Sequence, residues 1–177
     1  MNQEEDKPIR LSRLNIFLFD FQQARRFAEY ILVKKLHAVK GSQAKAKLVH
    51  LAFNTSMIVS YSRPFHKSNE GPGLPKVWLR QFVGGVLNDA EEKLHTKIIN
   101  KRDKVFAHSD AEEHEFAGLS YSSSLVKFYK PAFEPLSKDE TEKLKIMILK
   151  WIRHLDDERS ELRGSNRRVH DARTSIF

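Results

Sequence analysis

The chain has 177 residues, a length that fits one domain with tails, and it contains no cysteine. The lack of cysteine excludes disulfides, thiolate metal sites and a cysteine nucleophile. Lys and Arg number 31 against 23 Asp and Glu, which gives a net charge of +8. Such an excess favours a polyanionic partner such as nucleic acid, although a solvated helical surface rich in Lys and Glu has a similar composition.

The N-terminal sequence MNQEEDKPIRLSR starts with acidic residues and has no apolar core, so it does not resemble a secretory peptide. No apolar run approaches the roughly 18–20 residues that a membrane span requires. We therefore expect a cytoplasmic protein that does not associate with a membrane.

The first two helices are predicted from apolar residues that recur at steps of three and four. One block runs from about Leu11 to Val39, with Ser12 placed to cap its start and Gly41 just past its end. The second block runs from about Gln43 to Tyr61. It stops before Pro64, because proline disfavours helix in the residue that precedes it.

The middle of the chain is predicted to be less regular. A loop rich in helix breakers is expected over Pro64–Pro75, followed by a short helical turn within Trp78–Val86. A third helix should begin near Asn88 and Asp89, both good N-cap residues. Its apolar face comprises Ala90, Leu94, Ile98 and Val105.

The last helix has the clearest start signal, a capping box formed by Ser137 and Glu140. Before it, the loosely alternating segment Ser109–Pro135 is compatible with a small hairpin near 117–130. After Asp156 the sequence turns polar. The core face of this helix is expected to comprise Leu144, Met147 or Ile148, Trp151, Ile152 and Leu155.

Four long helices joined in one chain predict an all-α fold, an antiparallel helical bundle. We assign residues 1–160 to this single domain. Residues 161–177 form a polar C-terminal tail whose composition is compatible with disorder.

One segment concentrates groups suited to chemistry: Arg102 and Asp103 near the end of the third helix, followed by His108. Arginine binds phosphate with two parallel hydrogen bonds and stays charged at any working pH. Histidine exchanges a proton near neutrality. These are the two groups needed to cleave an RNA backbone without a metal ion.

The string Arg102-Asp103-Lys-Val-Phe-Ala-His108 resembles the motif of the HEPN superfamily, which is an Arg, a polar residue, about four others and a His. The resemblance extends to architecture, since HEPN domains carry this motif at the end of the third of four helices. It implies a metal-independent endoribonuclease that acts as a homodimer, of a toxin or defence type, with RNA as substrate and an antitoxin protein as a further partner.

Residue roles follow from this resemblance and from the chemistry of the side chains. His108 would be the general base or acid, Arg102 would bind the scissile phosphate, and Asp103 would orient one of them. Positions expected to contact the substrate are Lys101, Lys104, His95 and Ser109. No cofactor or metal is expected.

The spacing of Arg102 and His108 bears on how a site could be assembled. Six residues of ideal helix rotate by about 600 degrees, which leaves the two side chains about 120 degrees and about 9 Å apart. Either the helix distorts before His108, or two chains combine their residues. The resemblance implies the second arrangement, with both motifs of a two-fold dimer in one cleft.

Two other interpretations stay open at this point. Arg102 and Asp103 could form a helix-end ion pair with His108 near the helix terminus, in a non-catalytic module that dimerises and binds RNA or a protein. A cluster downstream resembles a set of metal ligands, but its spacing fits no zinc pattern. It comprises His108, Asp110, Glu112, Glu113 and His114.

Overall fold

The structure is a computed structural model, which describes residues 7–39, 44–66, 85–107 and 134–174. Within these ranges the chain forms four α-helices, namely α1 (Lys7–Val33), α2 (Ala44–Ser62), α3 (Asp89–Ala107) and α4 (Lys138–Thr174). Short 3-10 helices occupy Leu36–Ala38 and Arg63–Phe65. The same ranges contain no strand, so the predicted all-α bundle is confirmed. The hairpin predicted near 117–130 and most of the turn predicted at Trp78–Val86 lie outside the described residues.

The helices pack in antiparallel pairs. Arg10, near the start of α1, pairs with Glu158 in the C-terminal half of α4, whereas Glu29, near the end of α1, pairs with Lys145 near the start of α4. The order of the pairs is reversed between the two helices, so α1 and α4 run in opposite directions. The same reversal relates α1 to α2 and α3 to α4, through the pairs Asp20–Arg63, Gln23–Ser60, Glu91–Lys150 and Lys101–Glu134.

The hydrophobic core draws on all four helices. The predicted apolar face of α4 is buried, with Ile152 partly so, and both Met147 and Ile148 are fully enclosed. On α3 the prediction was wrong at Ala90, which is exposed. At the centre lies a group of rings that we call the aromatic cluster, in which Phe21 of α1 stacks on Trp151 of α4 at 6.0 Å. The aromatic cluster comprises Phe21, Tyr61, Phe65, His95 and Trp151.

Two of the three helix starts that the sequence predicted by capping, those of α3 and α4, are formed as expected. The Ser137 amide donates to Glu140 Oε2 at 2.9 Å, and the Glu140 amide donates to Ser137 Oγ at 3.2 Å. Asn88 and Glu91 make the same reciprocal pair at 3.0 Å at the start of α3. Each box satisfies two backbone N–H groups that a helix start otherwise leaves unpaired.

Ser137→Ala should lower the free energy of unfolding by about 1 kcal/mol, because it removes the acceptor for a free amide at the start of α4. Urea denaturation would measure the change. Ser137→Asp should restore most of the loss, since aspartate caps equally well. Ser160→Ala is a matched control within the same helix, where alanine's higher helix propensity should leave stability unchanged or slightly raised. Equal losses for Ser137→Ala and Ser160→Ala would contradict the assigned cap.

The bounds predicted for the first helix were wrong at both ends. α1 begins at Lys7, so Ser12 lies inside the helix and does not cap it. It ends at Val33, because the Lys35 amide donates to the Leu32 carbonyl and Lys35 adopts a left-handed conformation with φ of 51°. The chain then continues into the 3-10 helix Leu36–Ala38.

The polar tail predicted from residue 161 is also corrected. The α4 backbone stays helical to Thr174, and Leu162 packs against the core beyond the domain boundary expected at 160. Ion pairs from Glu158 to Arg10 and from Arg159 to Asp156 lie on the part of α4 just before this extension. At the start of this extension Glu161 and Arg163 are exposed, as their polar character requires. None of the described helices is long and apolar enough to cross a membrane.

Candidate functional site

The candidate site lies at the C-terminal end of α3. Arg102 and Asp103 belong to the last turns of this helix, whose backbone continues as far as Ala107, directly before His108. His108 and Ser109 lie outside the described residues. Of Lys104 only the helical backbone is described.

Arg102 and Asp103 form an ion pair at this end of the helix. Arg102 Nη1 donates to Asp103 Oδ1 at 3.0 Å. The Arg102 side chain is 27% exposed and that of Asp103 is 51% exposed, so both lie at the protein surface. Adjacent residues on a helix do not normally face each other. The contact therefore holds the Arg102 guanidinium against the helix surface, beside the Asp103 carboxylate.

A third residue, His66, completes this group from another part of the chain. The imidazole Nδ1 lies 3.4 Å from Arg102 Nη1, and Nε2 lies 3.5 Å from Asp103 Oδ1. His66 follows the 3-10 helix Arg63–Phe65, which turns the chain after α2. We call His66, Arg102 and Asp103 the polar triad.

Sequence reasoning missed His66, because it lay in a predicted loop with no partner nearby in the chain. The only local signal was Pro64, which stops α2 and starts the 3-10 turn. Phe65 is then partly buried in the aromatic cluster. Anchoring Phe65 there positions the next residue, His66, beside α3.

Burial and the Arg102 guanidinium together favour the neutral form of His66. Burial lowers the pKa of His66, the Arg102 guanidinium lowers it further, and the Asp103 carboxylate opposes both effects. The Arg102 guanidinium can only donate hydrogen bonds, so Nδ1 of His66 must accept, which requires an unprotonated nitrogen. The proton of the neutral ring then resides on Nε2, which faces Asp103.

Lys101, another position expected to contact the substrate, makes a hydrogen bond within its own chain. Its Nζ donates to the backbone carbonyl of Glu134 at 2.7 Å, which ties α3 to the segment preceding α4. Lys97, one turn earlier, pairs with Glu140 of the α4 capping box. These contacts fix the C-terminal half of α3 against α4.

His95, one of the positions expected to contact the substrate, packs against aromatic side chains inside the bundle. Its Nδ1 is 2.9 Å from the Tyr61 hydroxyl, and its ring packs against Phe65 with centroids 4.5 Å apart. Burial lowers the pKa of His95 to about 4. His95 therefore belongs to the aromatic cluster beneath the polar triad, where it supports Phe65.

The unfolding free energy should fall as pH is lowered from about 6.5 toward 4, because the unfolded chain protonates His95 in this window and the folded chain does not. A single such group gives a slope of up to about 1.4 kcal/mol per pH unit, which vanishes below the folded pKa. Urea titrations of wild type and His95→Gln at several pH values would isolate this contribution. Identical slopes for the two proteins would show that His95 protonates equally in both states.

Within the described ranges, no group of three or more His, Asp and Glu side chains is arranged to hold a metal ion. The cluster from His108 to His114 that resembled metal ligands in the sequence lies outside those ranges.

The chain matches no protein-family model, and comparisons with curated proteins and with solved structures give no significant match.

Proposed function

We propose that this protein is a metal-independent endoribonuclease of the HEPN type that acts as a homodimer. The observation that carries the proposal is the placement of Arg102 at the surface end of α3, held by Asp103 and His66, in the helix that leads directly into His108. An oriented, permanently charged guanidinium suits the binding of a phosphodiester, and a histidine such as His108 suits the proton transfer that cleaves it.

The proposed reaction is an internal transesterification of RNA. A base takes the proton of the 2′-hydroxyl, the 2′-oxygen attacks the adjacent phosphorus, and the 5′-oxygen leaves with a proton from an acid. His108 serves as base or acid, and Arg102 stabilises the charge that grows on the phosphoryl oxygens. The products are a 2′,3′-cyclic phosphate and a 5′-hydroxyl. The chain's excess of basic residues favours association with RNA.

The helical geometry of α3 supports a site shared between two chains. The helix is continuous as far as Ala107. It therefore contains no break before that residue that could redirect the following segment toward Arg102. A regular helix holds side chains six residues apart at about 120 degrees from each other. A two-fold dimer would bring Arg102 of one protomer and His108 of its partner to the same phosphate.

An RNA cleavage assay in the presence of EDTA tests the proposal. Wild type should cut single-stranded RNA to fragments with 2′,3′-cyclic phosphate ends, with EDTA making no difference. A 2′-O-methyl RNA of the same sequence should stay intact, since it lacks the attacking hydroxyl. Activity that EDTA abolishes, or products with 3′-hydroxyl ends, would contradict this mechanism.

The homodimer should have about twice the chain mass of 20.6 kDa in light scattering at micromolar concentration. Mixing Arg102→Ala and His108→Ala chains should restore part of the activity, because one of the two shared sites in a mixed dimer keeps both wild-type residues. A strict monomer that nevertheless cleaves RNA would disprove the shared site.

The second candidate is a non-catalytic helical module that dimerises and binds RNA or a protein. The observation that favours it is the set of contacts that Lys101 and Arg102 already make within their own chain. Wild type that binds RNA but leaves it uncut would favour this module over the enzyme.

A further inference from the structure

The polar triad contains a residue that the Arg-Asp-His motif does not include. His66 lies 36 residues before Arg102, and its side chain is 25% exposed with Nε2 shielded from solvent. The same guanidinium nitrogen, Arg102 Nη1, contacts both His66 Nδ1 and Asp103 Oδ1. The orientation of the guanidinium is therefore set from two sides, by its own helix and by the segment that follows α2.

Only one protonation state of His66 fits both of its neighbours. The neutral ring with its proton on Nε2 accepts from Arg102 through Nδ1, and its Nε2 lies 3.5 Å from Asp103 Oδ1 without forming a hydrogen bond. A protonated ring would instead place an N–H against the guanidinium and repel its charge. His66 and Asp103 are thus both placed to restrain the Arg102 guanidinium.

We infer that His66 is a positioning residue of the proposed ribonuclease site, which holds the Arg102 guanidinium in the orientation that binds the scissile RNA phosphate. The inference rests on the proposed function for its substrate. Orientation matters here because a planar guanidinium binds phosphate through two parallel N–H groups, and displacement by about 1 Å can cost about 100-fold in rate.

Two substitutions separate positioning from packing. His66→Asn keeps an acceptor near the place of Nδ1 but loses the ring, whereas His66→Phe keeps the ring but loses the acceptor. Positioning predicts that His66→Phe lowers kcat/KM for RNA cleavage by about 10- to 100-fold and that His66→Asn retains most activity. His37→Ala, at a histidine in the 3-10 helix after α1, is the control and should not change kcat/KM.

The reverse order, with His66→Phe active and His66→Asn impaired, would overturn the inference in favour of packing. Equal activity of all variants and wild type would also overturn it, while leaving the ribonuclease proposal intact. Melting temperatures of the variants show whether each one folds.

A binding measurement keeps the inference testable if wild type does not cleave RNA. The probe is a 2′-O-methyl RNA oligonucleotide, which retains the phosphates and cannot react. His66→Phe should bind it several-fold more weakly than wild type and His66→Asn, because the misaligned guanidinium loses its contact with phosphate. If wild type leaves RNA uncut but the three proteins show this binding pattern, the ribonuclease proposal is refuted and the positioning role of His66 stands. Equal binding by all three proteins would refute the positioning role.

Discussion

His108→Ala and Arg102→Ala should each lower the rate of RNA cleavage by about 100- to 10,000-fold. His108→Ala removes a proton-transfer group, and Arg102→Ala removes the charge that stabilises the transition state. Arg102→Lys should also lose most activity, since an ammonium cannot reproduce the planar two-point contact with phosphate. Initial rates on a defined RNA in EDTA would measure both losses.

Stability should change little in the Arg102→Ala variant. The Arg102–Asp103 ion pair is partly exposed, and such pairs contribute only about 0–1 kcal/mol. Arg153→Ala, at an exposed position on α4, is the matched control for loss of a positive charge and should keep full activity. Equal losses for Arg102→Ala and Arg153→Ala would indicate a general effect of charge on RNA binding and would contradict a specific role for Arg102.

Phe21→Ala should lower the free energy of unfolding by about 3–5 kcal/mol, because it removes a fully buried ring and leaves a cavity at the centre of the core. Phe21 is 1% exposed and contacts rings from two other parts of the chain, including Trp151. Urea denaturation monitored by circular dichroism would measure the change.

Phe19 provides a control on the same helix, two residues away and 62% exposed. Phe19→Ala has the same chemistry and nearly the same helix context, yet it should change stability by no more than about 0.5 kcal/mol. Similar losses at the two positions would contradict the burial pattern of α1. A loss at Phe19 that depends on protein concentration would instead place this residue in a dimer interface.

Local chemistry was sufficient to predict much of the fold. The capping box at Ser137 and the N-cap at Asn88 involve residues only three apart, so both were visible in the sequence and form as expected. The periodic spacing of apolar residues also predicted most of the buried faces, because a helix repeats every 3.6 residues whatever its surroundings. It was wrong at Ala90, which is exposed although Leu94 and Ile98 on the same predicted face are buried. The ends of α1 and α4 were less predictable. Arg10 and Glu158 pair across the bundle at a separation of 148 residues, and no local pattern indicates such a contact.

The candidate site likewise contains residues that the sequence predicted and one that only the tertiary structure revealed. Arg102, Asp103 and His108 lie within seven consecutive residues, so their resemblance to a ribonuclease motif was visible in the sequence. The sequence by itself therefore determined the four helices, most of their buried faces and the motif, since all of these depend on patterns within a few turns of one helix. The tertiary structure decided that His95 packs into the aromatic cluster and that His66 contacts Arg102 and Asp103. These placements depend on how the segment after α2 packs against α3, and long-range packing of this kind leaves no periodic signal in a single sequence.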